Sequence, residues 1–402
     1  MEANNRPLIS VLVLCYNNQK YIFQTLTSIF RQNYPNLEVL IGDDKSEDFD
    51  FDALNNWIQI HRPQNIKNIF VKQNEKNLGT VANLENLVNL SKGEFLFLIA
   101  ADDVLFDEDV LENFYNRAVQ LGAEAEFFTA QTEMWDIELK YKIGDFISET
   151  DIEKIQNYST AQLFGECAYR PFIPASNFYR RTIFNKVGSF SGQYRLVEDW
   201  PMQLRCLRNG INLHYLPIVS IKHRDGGISH GNLLHPSKTY LLFYCDLLNA
   251  YLNEVLPFES LLSKEDRKRA QKYYEDRLRA YFTIHLPSYQ SGAEGRLEDP
   301  MLDISILGRE WKHIKLVRWI AVIKNHIKKY CCLNSIFRTF LLSTLFFIAG
   351  SIIATLKYSW SSWLAIFYLS CGFIGLGLFL AQIGIKALIF LKKIIKNDFF
   401  QK

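Results

Sequence analysis

The chain has 402 residues, 48% of them apolar and 22% charged, which allows a sizeable packed core and excludes bulk disorder. Its 45 basic and 43 acidic residues leave a formal charge of +2, so no global charge draws it to nucleic acid. The seven cysteines show no CxxC spacing, which speaks against a disulfide framework or zinc site and for buried free thiols in a reducing compartment.

The opening MEANNRPLIS lacks a basic flank and a long apolar run with a cleavage site. This predicts no signal peptide and a cytosolic N-terminal part. Short apolar runs then alternate with helical patterns. Ile9–Leu14, Leu37–Ile41, Ile69–Val71 and Phe95–Ile99 read as strands, and Tyr21–Phe30, Phe51–Ile60 and Val81–Leu90 as helices. That alternation predicts a parallel sheet with helices on both faces. Ligands of such sheets sit at the carboxyl ends of the strands.

The residues there are consistently polar. Strand one ends in Cys15-Tyr16-Asn17-Asn18, strand two in Gly42-Asp43-Asp44-Lys45-Ser46, and strand four in Ala101-Asp102-Asp103. Neither GxGxxG nor GxxxxGK[ST] occurs. A nucleotide held here needs its phosphates neutralised by a metal rather than by a glycine-rich helix start. An isolated acidic pair after a strand is ordinarily a solvated turn, so only the combination of loops carries weight.

Residues 160–235 are less regular, with a Pro-rich turn at Arg170–Pro174 and a strand-like Asn177–Tyr179. In VEDWPMQLRCLRNG (197–210), Trp200, Leu204 and Leu207 have helical spacing and Gly210 follows as a stop signal. Asp199 stands at the start of that helix, and Pro201 just inside it fits an ordinary helix cap equally well. Residues 237–330 read as mostly helical.

Two charge-free stretches follow, 340–356 and 363–385. A membrane span takes about 20 apolar residues. Lys324, Lys328, Lys329 and Arg338 lie before the pair and Lys386, Lys392, Lys393 and Lys396 after it, while the link at 357–362 holds only Lys357. The pattern predicts a membrane hairpin with both termini cytoplasmic. The alternative, a buried soluble hairpin, conflicts with helices that are apolar all round.

SVLVLCYNN (10–18), LEVLIGDDKSED (37–48), NLGTVANLENLVNLSKGEFLFLIAADD (77–103) and VEDWPMQLRCLRNG, in this order, resemble the inverting family 2 glycosyltransferases. The resemblance covers roughly residues 8–230. It implies an α/β GT-A catalytic domain with a mostly parallel sheet over 1–235. A helical juxtamembrane region over 236–335 and a two-helix anchor over 336–402 would follow. It further implies that Asp44 reads the base, that Tyr16 stacks near it with Asn17 beside, and that Asp43 and Asp103 belong to the nucleotide-sugar site. Asp102 matches the acid that ligates Mn²⁺ or Mg²⁺, Asp199 the catalytic base, and His223 a further metal or diphosphate contact of some members. Ala100 stands where the family often has the first acid of its metal motif, so the number of protein ligands is open.

The implied reaction is in-line displacement at an anomeric carbon. A hard divalent cation stabilises the leaving diphosphate, and a carboxylate takes the acceptor proton. Glu198 and the diphosphate would raise the pKa of Asp199 and a helix start would lower it. The expected donor is a nucleotide-sugar, a UDP-sugar first. The expected acceptor is a hydroxyl of a lipid-linked saccharide or polysaccharide at the cytoplasmic face of a bacterial inner membrane. Two alternatives stand beside this: transfer to a polyprenyl phosphate, which needs no base, and a silent membrane scaffold, for which Ala100 speaks. A processive synthase would want a QxxRW-type motif, which GREW at 308–311 is not.

Overall fold

The apolar runs Ile9–Leu14, Leu37–Ile41 and Phe95–Ile99 become neighbouring strands because each is buried on both faces and can hide only inside a sheet. The computed structural model describes residues 6–47, 49–227 and 237–281. In chain order the first elements are β1 (Ile9–Cys15), α1 (Gln19–Phe30), β2 (Leu37–Asp43), α2 (Phe51–His61), β3 (Ile66–Gln73), α3 (Thr80–Leu90) and β4 (Phe95–Ala100). Then come β5 (Val104–Leu105), α4 (Val110–Leu121), β6 (Phe127–Trp135), β7 (Lys142–Asp145), α5 (Glu149–Asn157), α6 (Thr160–Cys167) and β8 (Phe178–Arg180). The last are α7 (Ile183–Val187), α8 (Asp199–Arg208), β9 (Leu213–Arg224), α9 (Lys238–Ala250), a π turn, a 3-10 turn and α10 (Lys264–Ala280).

The described strands join one sheet in the order β3-β2-β1-β4-β8-β6-β9-β5, with β7 on β6. Its first half is parallel, as the βα alternation requires: β1 pairs in parallel with both β2 and β4. The long ladders, β1 with β2 and β4, β2 with β3, and β6 with β9, are all parallel, so the sheet is mostly parallel as expected. Past β4 the pairing is mixed, since β8 runs antiparallel to both β4 and β6 while β9 runs parallel to β6. After β4, β6 and β7 form a hairpin, which pairs antiparallel by construction.

Strand alternation divides the core in two. Ile9, Val11 and Val13 face one cluster with Ile22 and Leu26 of α1 and Phe114 of α4. Leu12, Leu96 and Leu98 face the other, with Leu84 of α3, Phe164 of α6 and Trp200 of α8. This second cluster also takes in Tyr240, Leu241 and Leu248 of α9 and Tyr274 of α10. Trp200 is completely buried and its indole N–H donates to the Cys167 carbonyl at 2.8 Å, which fixes α8 against α6. Cys15, Cys167, Cys206 and Cys245 are buried free thiols, as expected. No helix among the described residues is long and apolar enough to cross a membrane. The predicted spans at 340–356 and 363–385, and Cys331, Cys332 and Cys371, lie outside the described residues.

Candidate active site

The parallel register brings the polar loops to one edge, since Cys15 lies opposite Asp43 and Leu14 opposite Ala100. Tyr16 projects from the end of β1 and is 44% exposed, one of the open aromatic faces at this edge. Asn17 takes a left-handed backbone (φ 53°), which asparagine tolerates. Its N–H donates to the Ser46 hydroxyl at 2.7 Å, joining the first loop to the second.

Asp43 and Asp44 both turn inward. Asp43 is fully buried and accepts from the Ser46 N–H and the Gln73 amide, each at 2.9 Å. Asp44 accepts the Leu78 N–H on one oxygen and the Gly79 N–H on the other, both at 2.7 Å, with the Asn74 amide adding a third bond at 3.1 Å. The pair therefore shapes the loops around the edge. Asp44 in particular holds the chain where it enters α3, with charge-assisted bonds of the stronger kind.

Asp102 and Asp103 close β4. Thr25 of α1 donates its hydroxyl to the carbonyls of Ala101 and Asp103 at 2.8 and 2.7 Å, which fixes the turn. Asp103 is buried and accepts the Arg224 N–H at 3.0 Å, while its other oxygen lies 3.0 Å from Nδ1 of His223. Burial, then the charge of Asp103, raises the pKa of Asp102, with a bond from Asn18 opposing them. For His223 burial works downward, but Asp103, Asp102 and Asp225 outweigh it and the imidazole pKa is raised. Asp102, Asp103 and His223 are thus brought to one corner of the sheet edge. Among the described residues no three His, Cys, Asp or Glu side chains converge as a complete metal cage. The corner offers hard carboxylate oxygens with excess negative charge, the donor type that suits a hard divalent cation.

Asp199 opens α8 and its carboxylate accepts the Trp200 N–H at 2.7 Å. Glu198 is the N-cap residue without a capping side-chain bond. Burial, then the neighbouring charge of Asp199, pushes Glu198 up to about 8. Burial also raises Asp199, against the pull of the Trp200 N–H. Burial thus raises both carboxyls of this adjacent pair, and only Asp199 has a neighbouring N–H opposing the rise through its side chain.

The segment before this pair reaches the loop that Asp44 holds. The Arg195 carbonyl accepts the Val81 N–H at 3.2 Å, and its guanidinium donates to the Asn77 side chain at 2.6 Å. Gly79 permits this closeness: it has φ +90°, and a Cβ there would lie 2.4 Å from the Arg195 carbonyl oxygen. Asn18, Arg195 and Arg224 carry this geometry without having been singled out in the sequence. Asn18 was visible only within the polar end of the first strand, and Arg195 and Arg224 carried no signal in the sequence.

Residues 10–188 match the model for glycosyl transferase family 2. Over these residues the chain is similar to the family 2 glycosyltransferases. An uncharacterized glycosyltransferase of Haemophilus influenzae is 27% identical over 57% of this chain and 67% of its own length. A PGL/p-HBAD biosynthesis glycosyltransferase of Mycobacterium bovis is 25% identical over 56% of this chain and 80% of its own. A Methanococcus voltae glucuronosyltransferase, named for a dolichyl N-acetylglucosaminyl phosphate substrate, is 34% identical over 26% of this chain and 32% of its own. The solved S. aureus TarS 1-349 with UDP-GlcNAc aligns at TM-score 0.47 and 16% identity, over 78% of this chain and 88% of that one. The matches support a glycosyltransferase, the class of enzyme that the sequence predicts.

Proposed function

We propose that the enzyme transfers a sugar with inversion from a nucleotide-sugar, a UDP-sugar first, to a hydroxyl of a lipid-linked saccharide. The observation that carries this is the contact between the Arg195 backbone and the 77–81 loop, which ties the carboxylate of Asp199 to the loop system around Asp44. In this reading Tyr16 offers its exposed ring to the base, and Asn17, Asp43 and Asp44 keep the surrounding loops in shape. Asp102 and Asp103 hold a divalent cation together with the diphosphate, and the cation when bound neutralises the charge that develops there. His223, with Nδ1 3.0 Å from Asp103, stands beside that cation as a further contact to metal or diphosphate. Asp199 accepts the acceptor proton.

The carboxylate pair favours a hydroxyl over a polyprenyl phosphate acceptor, because a phosphate arrives already ionised and needs no base. The dolichyl-linked substrate in the name of the Methanococcus voltae relative supports a lipid-linked acceptor. A membrane setting, at a bacterial inner membrane with the catalytic part cytoplasmic, rests on the charge-free sequence at 340–356 and 363–385.

The test uses the full chain in detergent with labelled UDP-, GDP- and dTDP-sugars, a lipid extract as acceptor, and Mn²⁺, Mg²⁺ or EDTA. We expect one donor to be turned over in a metal-dependent way. Asp199→Asn should lose about 10²–10⁴-fold in transfer while keeping donor affinity, the range for a positioned base. Transfer by Asp199→Asn at the wild-type rate sinks the base assignment.

A further inference from the structure

Asp246 lies on α9, outside the stretch that matches the family model. It is 6% exposed. One of its carboxylate oxygens accepts three consecutive backbone N–H groups, those of Arg195, Leu196 and Val197, at 2.8, 2.6 and 3.2 Å. These are the three residues immediately before Glu198 and Asp199. A carboxylate pointed at successive N–H groups fixes the direction of the backbone that follows, and charge-assisted bonds are the strong ones. The same segment is held on its other side by the Val81 N–H and the Asn77 side chain. The segment is therefore clasped between α9 and the entrance of α3.

We infer that Asp246 is the positioning residue of the catalytic carboxylates, setting the 195–197 backbone so that Asp199 faces the acceptor. The inference rests on the reading of Asp199 as base. Asp246 touches no reacting atom in this role. It acts also through charge. The groups facing the Glu198–Asp199 pair are Tyr179 from β8, Cys167 from α6 and Asp246 from α9, and Asp246 is the one among them whose charge raises Glu198. Arg195 and Cys245 in turn face Asp246.

Asp246→Asn keeps the shape and an accepting oxygen but removes the charge, and Asp246→Glu keeps the charge while displacing it. In the full chain we expect Asp246→Asn to lose at least tenfold in kcat for transfer with donor Kd unchanged. The pH at which Glu198 titrates, read from stability against pH, should move down, because a nearby negative charge is gone. Amide exchange at 195–199 should rise. Asp246→Glu should return the titration toward the wild-type pH while kcat stays low. Unchanged kcat in both variants overturns the proposal. So does a loss of kcat matched by an equal loss of donor binding with the titration unmoved, which marks a merely structural residue. Because Asp199→Asn is assayed alongside, the two failures separate: if it too is active, the base reading falls first.

Discussion

Glu198 and Asp199 are adjacent in sequence but unequal in surroundings. Asp199 has a helix N–H to hold its charge, whereas Glu198 has the charges of Asp199 and Asp246 against it. An unfolded glutamate releases its proton near 4.5 and the folded Glu198 near 8, so the folded state binds the extra proton between those values. Stability is lost as pH rises through that window. Glu198→Gln does not titrate, so its stability relative to wild type should grow from pH 5 to pH 8, by on the order of 1–3 kcal/mol, and level off above. Because Gln resembles the protonated acid, transfer near neutral pH should survive. Urea midpoints at several pH values, with kcat beside them, decide it; a gap that does not change with pH removes Glu198 as the proton holder. Asp199 was legible as a carboxylate entering an amphipathic helix. Asp246 was not, because a lone aspartate in a Tyr- and Leu-rich helix carries no motif and its three partners lie some fifty residues earlier in the chain. Asp43 and Asp44 were visible as a pair, but what they grip depends on N–H and amide groups that only folding brings near.

At the scale of elements, the entrance of α3 joins the site, and one glycine permits it. Gly79 combines a left-handed backbone with a carbonyl at sub-contact distance from any added Cβ. Gly79→Ala should therefore cost about 1–3 kcal/mol from backbone strain alone. It should also push the Arg195 segment away, lowering kcat for transfer more than it weakens donor binding. Denaturant unfolding with paired kinetics tests this, and an alanine variant with wild-type stability and kcat would show that the clasp is loose. β1, β2 and β4 were readable because doubly buried strands are continuous apolar runs. β3 was read too short, since its outward positions are polar and half-exposed as on an edge strand. β6 gave no strand signal at all. Its buried Thr129, Gln131, Thr132 and Glu133 are polar, and Gln131 is satisfied by the carbonyl and N–H of Ile147. Tertiary hydrogen bonds, invisible in periodicity, turned that segment into a central strand.

For the molecule as a whole, the composition change after residue 235 marks where the helices begin but not what they rest on. Tyr240, Leu241, Tyr244, Leu248, Tyr274 and Leu278 are buried in the same cluster as Trp200 and Leu12. Arg208 of α8 pairs with Glu254, and Arg269 of α10 lies 3.2 Å from Glu166 of α6. Each large apolar side chain uncovered costs roughly 1.5–3 kcal/mol, and a whole domain is stable by about 5–15 kcal/mol. Six such side chains lost together consume that margin before the Asp246 bonds are counted. A chain ending at residue 235 should therefore lose near-UV circular dichroism and bind an apolar dye, although it contains the full segment matched by the family model. A chain ending at residue 281 should unfold cooperatively. If the shorter chain instead keeps its near-UV signal and one sharp transition, α9 and α10 are appendages, and the base pair is held by the sheet domain alone.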